Sequence, residues 1–184
     1  MEKLQDNFDI DIHWHAFMLR PPGSPPMPPA YRERIEASRP ALLQRTSEQY
    51  GLEMNPGPLG IDSRPALIAE KYAASQGKGN AFHDAIMKAY WQKARSIDDP
   101  AVLQEIATEV GLQVPDISAV LSNSSYEDAV STDMKQAHSY GLDAVPALIF
   151  NAQYLVSGAQ PYELLKRVVE KVQEEDDADK TEST

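Results

Sequence analysis

The feature that most constrains this chain is the stretch Gly141-Leu142-Asp143-Ala144-Val145-Pro146-Ala147-Leu148-Ile149-Phe150. A helical pattern ends at Gly141, and Val145-Pro146 then leads straight into an apolar run. Proline has no N–H to give a ladder, so it suits the first residue of a strand or an edge. The residue before it is pushed towards extended geometry. Asn151-Ala152-Gln153 is turn-compatible, and Tyr154-Leu155-Val156 is a second short apolar run closed by Ser157-Gly158. This spacing predicts a β-hairpin. Leu165, Val168, Val169 and Val172 then follow the i, i+3, i+4, i+7 spacing of an amphipathic helix.

Composition sets the outer limits. The 184 residues, 42% of them hydrophobic, suffice for one domain with a buried core, or for one that carries an insertion. A net charge of -11 argues against nucleic acid or an anionic membrane as a partner held by bulk electrostatics. There is no cysteine, which removes disulfides, thiolate metal sites and cysteine nucleophiles from this polypeptide. No apolar run reaches the roughly 18 residues of a membrane span. Met1-Glu2-Lys3-Leu4-Gln5-Asp6 lacks an apolar signal region, so a cytoplasmic location is expected. Residues 174–184, rich in Glu and Asp, are expected to be a solvated, disordered tail.

Along the chain, Met1 to Phe8 has the look of the last turns of a helix. Residues 10–19 alternate, with Ile10, Ile12, Trp14, Ala16 and Met18 on one face, which predicts a strand. The proline-dense run from Arg20 to Pro29 reads as a stiff loop, or else as a polyproline ligand. Residues 31–50 have helical tendency interrupted by Pro40, which predicts either a kink or a new helix capped by Ser38. From 63 to 140 the text is helical: Asp62 or Ser63 caps one helix, Phe82, Ile86, Ala89 and Tyr90 mark the face of another, and Asp98 or Asp99 caps a third that begins at Pro100. Two more helices follow, the last ending at Gly141. A helical block between two parts of an α/β layer describes a small sheet domain carrying an inserted all-helical subdomain. The expected division is 1–62 with 141–173 as the sheet domain, 63–140 as the insertion and 174–184 as the tail.

From Tyr140 to Val172 the order helix, Val-Pro loop, hairpin, helix resembles the C-terminal half of the thioredoxin fold of the DsbA family. It is most similar to the FrnE-like branch, near the 2-hydroxychromene-2-carboxylate isomerases. Pro58-Leu59-Gly60-Ile61-Asp62-Ser63-Arg64, Ala81-Phe82-His83-Asp84-Ala85, Asp98-Asp99-Pro100 and Tyr154-Leu155-Val156-Ser157-Gly158-Ala159-Gln160-Pro161 resemble that branch in order and spacing. His15-Ala16-Phe17-Met18-Leu19-Arg20-Pro21 resembles its second strand and exit. The resemblance implies a thioredoxin-like α/β fold, a cis bond at Val145-Pro146, and a polypeptide substrate or partner protein bound beside Val145 and Pro146. It also implies that Asp62, Ser63 and Arg64 border the active cleft.

The family opens with a strand and a Cys-x-x-Cys motif that have no counterpart here, so the expected fold is N-terminally truncated. Thiol–disulfide exchange needs a thiolate and a resolving thiol, and neither is encoded. No catalytic residue and no cofactor is assigned. Three readings stay open: a shortened product of an oxidoreductase gene, a redox-inactive module that keeps the binding groove, or a diverged α/β protein. Loss of a central strand would leave edges at which the chain self-associates. His13 and His15, spaced i, i+2, lack further ligands in the sequence, so no metal site is assigned. His83 and His138 are read as polar-face residues, and Trp14 and Trp91 as core.

Overall fold

The computed structural model describes residues 1–182. The chain divides into two compact units. A terminal unit comprises Met1–His13 and the chain from Lys135 onward, and a helical unit comprises Trp14–Met134.

The helical unit begins with an extended segment and a proline loop. The loop closes on itself: the Arg20 guanidinium donates to the Pro25 carbonyl, and the Ser24 N–H and hydroxyl both donate to the Pro21 carbonyl. Helix α2 (Pro29–Tyr50) follows, with proline at its first position, where the missing N–H costs nothing. It runs as one helix through Pro40, so no new helix starts at Ser38. The Ser38 hydroxyl caps nothing and donates to the Ile35 carbonyl instead. No residue of α2 is buried.

The core of this unit lies among α3 (Arg64–Ser75), α4 (Gly79–Trp91), α5 (Pro100–Glu109) and α6 (Ile117–Leu121). Their sequences dictate the packing. α3 turns a face of small residues, Ala66, Ala69 and Ala73, towards Phe82, Ile86 and Ala89 of α4, while α5 adds Val102, Leu103, Ile106 and Ala107. Short side chains on one helix let the large ones of its neighbours interdigitate without voids. Asp62 accepts the Arg64 N–H at the start of α3, and Asp99 and Asp116 cap α5 and α6. Ser63 makes no capping bond. A second cluster joins Ala16, Ile68 and Val130, the last from α7 (Ser124–Ser139).

In the terminal unit, β1 (Ala147–Phe150) and β2 (Tyr154–Ser157) form a two-stranded antiparallel sheet, with Leu148 opposite Val156 and Ile149 opposite Leu155. Asn151 and Ala152 both take positive φ in the turn, as a tight hairpin requires. Helix α8 (Tyr162–Glu182) packs on β1 and on α1 (Glu2–Gln5), burying Leu4, Val169 and Val172. The Lys3 ammonium lies over the Tyr162 ring, 4.4 Å from its centroid.

Three expectations are corrected. Residues 10–19 form no strand, and the sheet has two strands rather than three. Their donors are taken by helix side chains: the Ala16 N–H goes to the Asp133 carboxylate and the Met18 N–H to the Met134 sulfur. For the same reason the helical unit starts at Trp14 and not at residue 63. The acidic tail is not separate either, since α8 continues to Glu182. The Tyr154 hydroxyl donates to the Glu175 carboxylate, and the Asn151 amide donates to Asp176. Lys166 and Lys171 pair with Glu170 and Glu175 one turn on, which supports a charged helix. Residues 183 and 184 of the expected tail lie outside the described residues.

Candidate functional site

Val145 and Pro146 enter β1 in the terminal unit. Their peptide bond is cis, and both residues are exposed. Side chains alternate across a strand, so the register divides the hairpin into two faces. Phe150 and Tyr154 share one, and the Tyr154 hydroxyl reaches Glu175 of α8 at 2.7 Å. Ile149 and Leu155, directly opposite each other, share the other. Ile149 is 40% exposed and Leu155 49%, and Val145 at the strand entrance is also 49% exposed. One face of the hairpin is therefore covered by α8 and the other presents bare aliphatic surface beside Pro146. Sequence reading singles out Val145 and Pro146; the register adds the exposed pair Ile149 and Leu155, whose alternation with Leu148 and Val156 is the available signal.

Asp62, Ser63 and Arg64 belong to the helical unit. Asp62 is spent on the α3 cap, and the Arg64 guanidinium pairs with Glu127 of α7. The most heavily engaged polar group of this unit is one that sequence reading did not single out. Asp133 of α7, 7% exposed, accepts the Ala16 N–H at 2.6 Å, sits 3.0 Å from His15 Nδ1, and pairs with the Lys71 ammonium from α3. Burial pushes its carboxyl up. The Lys71 ammonium, the Ala16 N–H and His15 together outweigh that effect and hold it below the usual carboxylate range. With three donors already on its two oxygens, this carboxylate anchors residues 15 and 16 to two helices rather than shuttling protons.

A second anchor lies next to it in sequence. The Trp14 indole N–H donates to Asn80 Oδ1 at 3.0 Å, and the Trp14 ring stacks on His83 with centroids 3.7 Å apart. His83 Nδ1 is 2.9 Å from Glu70 Oε1, and the side chains of both are mostly buried. His83 is thus not a free polar-face residue, and Trp14, 37% exposed, is not core. His15 is held by Asp133, and no group of three or more His, Cys, Asp or Glu side chains placed to hold a metal ion occurs among the described residues. None of the described helices is long and apolar enough to cross a membrane.

The family model for the DSBA-like thioredoxin domain matches residues 1–170. The chain belongs to that family. This DSBA-like chain is 24% identical over 164 residues to the uncharacterized protein YwbO of Bacillus subtilis, covering 88% of this chain and 82% of that one. It superposes on a structure described as a 2-hydroxychromene-2-carboxylate isomerase with a TM-score of 0.77 at 15% identity, over 96% of this chain and 88% of the other. A probable DsbA oxidoreductase from Streptomyces coelicolor matches with a TM-score of 0.67 at 24% identity, over 78% of this chain. The DSBA-like chain spans 62% of the length of that Streptomyces protein. A putative protein disulfide isomerase from Nitrosomonas europaea matches with a TM-score of 0.66 at 17% identity, over 82% of this chain and 78% of the other. These likenesses place the fold as thioredoxin-like, mostly helical with a small sheet.

Proposed function

We propose that this chain acts as a non-catalytic, polypeptide-binding member of the DSBA-like family, in its FrnE-like branch, and that the contact surface is the hairpin face at Ile149 and Leu155 together with exposed Val145 and Pro146 at the strand entrance. The observation that carries this reading is the bare aliphatic face of a hairpin whose other face is already covered by α8. Contiguous exposed apolar surface marks a binding site more often than a solvated one. The sequence supplies the other half of the argument. Mixed-disulfide chemistry needs a thiolate, and these 184 residues contain no cysteine. Thiol–disulfide exchange would need sulfur from elsewhere. The runs Pro58–Arg64 and Tyr154–Pro161 are what support the branch assignment.

The test has two arms. Purified protein is titrated into a fluorescently labelled, thiol-blocked unfolded polypeptide and followed by anisotropy. Binding that weakens about tenfold in Ile149→Asp and Leu155→Asp supports the reading, whereas no binding, or binding indifferent to both variants, overturns it. In the second arm the protein is assayed for insulin reduction. Turnover above buffer by the pure chain would contradict the non-catalytic assignment.

A further inference from the structure

The outer side of α4 carries a groove inside the helical unit. Leu52 and Met54, in the segment that leaves α2, meet Met87 and Trp91 of α4 around an open volume of about 260 Å³, and the charged side chains of Asp84 and Lys88 also line it. Asp84, Met87, Lys88 and Trp91 follow the i, i+3, i+4, i+7 spacing of one helix face. That face lies opposite Phe82, Ile86 and Ala89, which point into the core. Backbone bonds hold the groove in shape. The Asn55 N–H donates to the Trp91 carbonyl at 2.7 Å, and the Ala94 N–H donates to the Asn55 carbonyl at 2.9 Å. The Tyr90 hydroxyl donates to the Pro58 carbonyl at 3.0 Å. The chain just after Met54 is thus fixed to the C-terminal end of α4, and the groove is formed before any ligand arrives. Asp84 and Lys88 are exposed, and neither side chain makes a hydrogen bond or ion pair among the described residues, although opposite charges one turn apart commonly pair.

We propose that this groove binds a small aromatic zwitterion, a free aromatic amino acid, with its ring against Met54, Met87 and Trp91, its ammonium on Asp84 and its carboxylate on Lys88. The site shares no residue with the hairpin face and does not rest on the polypeptide-binding reading. Size, wall chemistry and charge each select this occupant. The volume lies just below the roughly 300 Å³ at which small-molecule pockets begin, which suits one ring system and not a helix or a strand. Two thioethers and an indole attract an aromatic ring beyond what simple burial supplies. The helical spacing sets Asp84 and Lys88 about 5–6 Å apart between their Cβ atoms. A ligand with one charge would match one of them and meet the other as a like charge, whereas a zwitterion matches both.

The experiment titrates L-phenylalanine into the full chain and follows methionine methyl and indole N–H signals by NMR. Saturable ring-current shifts are expected at Met54, Met87 and Trp91, while the Trp14 indole N–H, bonded to Asn80, stays in place. Phenethylamine and 3-phenylpropionate each lack one charge and separate the two contacts. Asp84→Asn should weaken phenylalanine and phenethylamine about tenfold, the loss of a bond to a charged group, and leave 3-phenylpropionate no weaker. Lys88→Gln should weaken phenylalanine and 3-phenylpropionate and leave phenethylamine no weaker. Both positions are exposed, and an unmoved Trp14 signal reports that each variant is folded. The absence of a saturable shift up to the solubility limit overturns the site. Leucine binding as tightly as phenylalanine overturns the aromatic assignment. N-acetylphenylalaninamide binding as tightly overturns the zwitterion and makes the groove a seat for an aromatic side chain of a polypeptide. Shifts undiminished in both variants show a nonspecific apolar contact and overturn the proposal as well.

Discussion

Asp133 holds Ala16 across 117 residues of sequence, through a 2.6 Å hydrogen bond from the Ala16 N–H to a buried carboxylate. A backbone donor that a sheet would satisfy is satisfied here by a side chain on a helix. Lys71 and His15 share the same carboxylate, so one group fixes the extended segment to α3 and α7 together.

Asp133→Ala should therefore be among the most destabilising single changes in the helical unit. It removes one partner of a mostly buried ion pair, a class of change that costs about 3–5 kcal/mol, and leaves the Ala16 N–H without an acceptor. Urea denaturation would show the loss as a lower midpoint. Adding Lys71→Met to the Asp133→Ala protein should recover part of the stability, because the uncompensated ammonium is then gone. A double mutant no more stable than Asp133→Ala alone would contradict the pairing.

The same cluster sets an acid limit. Asp133 titrates below its unfolded value of roughly 3.9, so its contribution is complete above that pH and is lost as pH falls through the lower folded value. Wild-type stability should fall between about pH 4 and the folded value more steeply than that of Asp133→Asn, which has no such proton to take up. Thermal melts of both proteins from pH 7 down to pH 2.5 would reveal the difference.

Gly57 makes a second close approach in the helical unit. Its N–H donates to the Tyr90 carbonyl at 2.7 Å, and an added Cβ would lie 2.5 Å from the Arg95 carbonyl oxygen and 2.8 Å from the Tyr90 ring. Gly57→Ala should cost about 1–3 kcal/mol, as overpacking does, because the nearest clash is with backbone. Gly111→Ala offers a contrast: a Cβ there meets nothing, and the cost comes only from its left-handed φ. Denaturation midpoints of the two variants would be expected to respond differently to Tyr90→Ala, which opens space only beside residue 57.

Much of the fold was legible because it is local. The capping roles of Asp99 and Asp62, the apolar stripes of α4 and α5, and the hairpin turn at Asn151 all follow from residues within a few positions of one another. The segment at 10–19 was misread because alternation reports a strand's faces and not its ladder partner, and here the partner is Asp133, far away in sequence. The acidic run was misread for a related reason. Like charges in a row suggest a solvated tail, but Tyr154 and Asn151, which tie it to the hairpin, lie over twenty residues upstream. At the candidate site, the proline marked the place, whereas the bare Ile149–Leu155 pair emerged only once the register and the position of α8 were known.

That tie predicts a measurable change in α8. The Tyr154 hydroxyl lies 2.7 Å from both oxygens of Glu175, and the Lys171 ammonium sits 4.6 Å from the Tyr154 ring centroid while pairing with Glu175. Tyr154→Phe keeps the ring and the cation contact but deletes the hydroxyl. A hydrogen bond to a charged acceptor contributes about 1.5–3 kcal/mol, and partial exposure here puts the expected loss at the lower end of that range. The loss should be local. Amide exchange should quicken in α8 from Glu175 onward, where acidic side chains crowd the helix C-terminus against its dipole, while Val169 and Val172, buried in the terminal unit, keep their protection. Uniform acceleration along the whole of α8, or none beyond Glu175, would show that the acidic turns are held by something other than the Tyr154 hydroxyl.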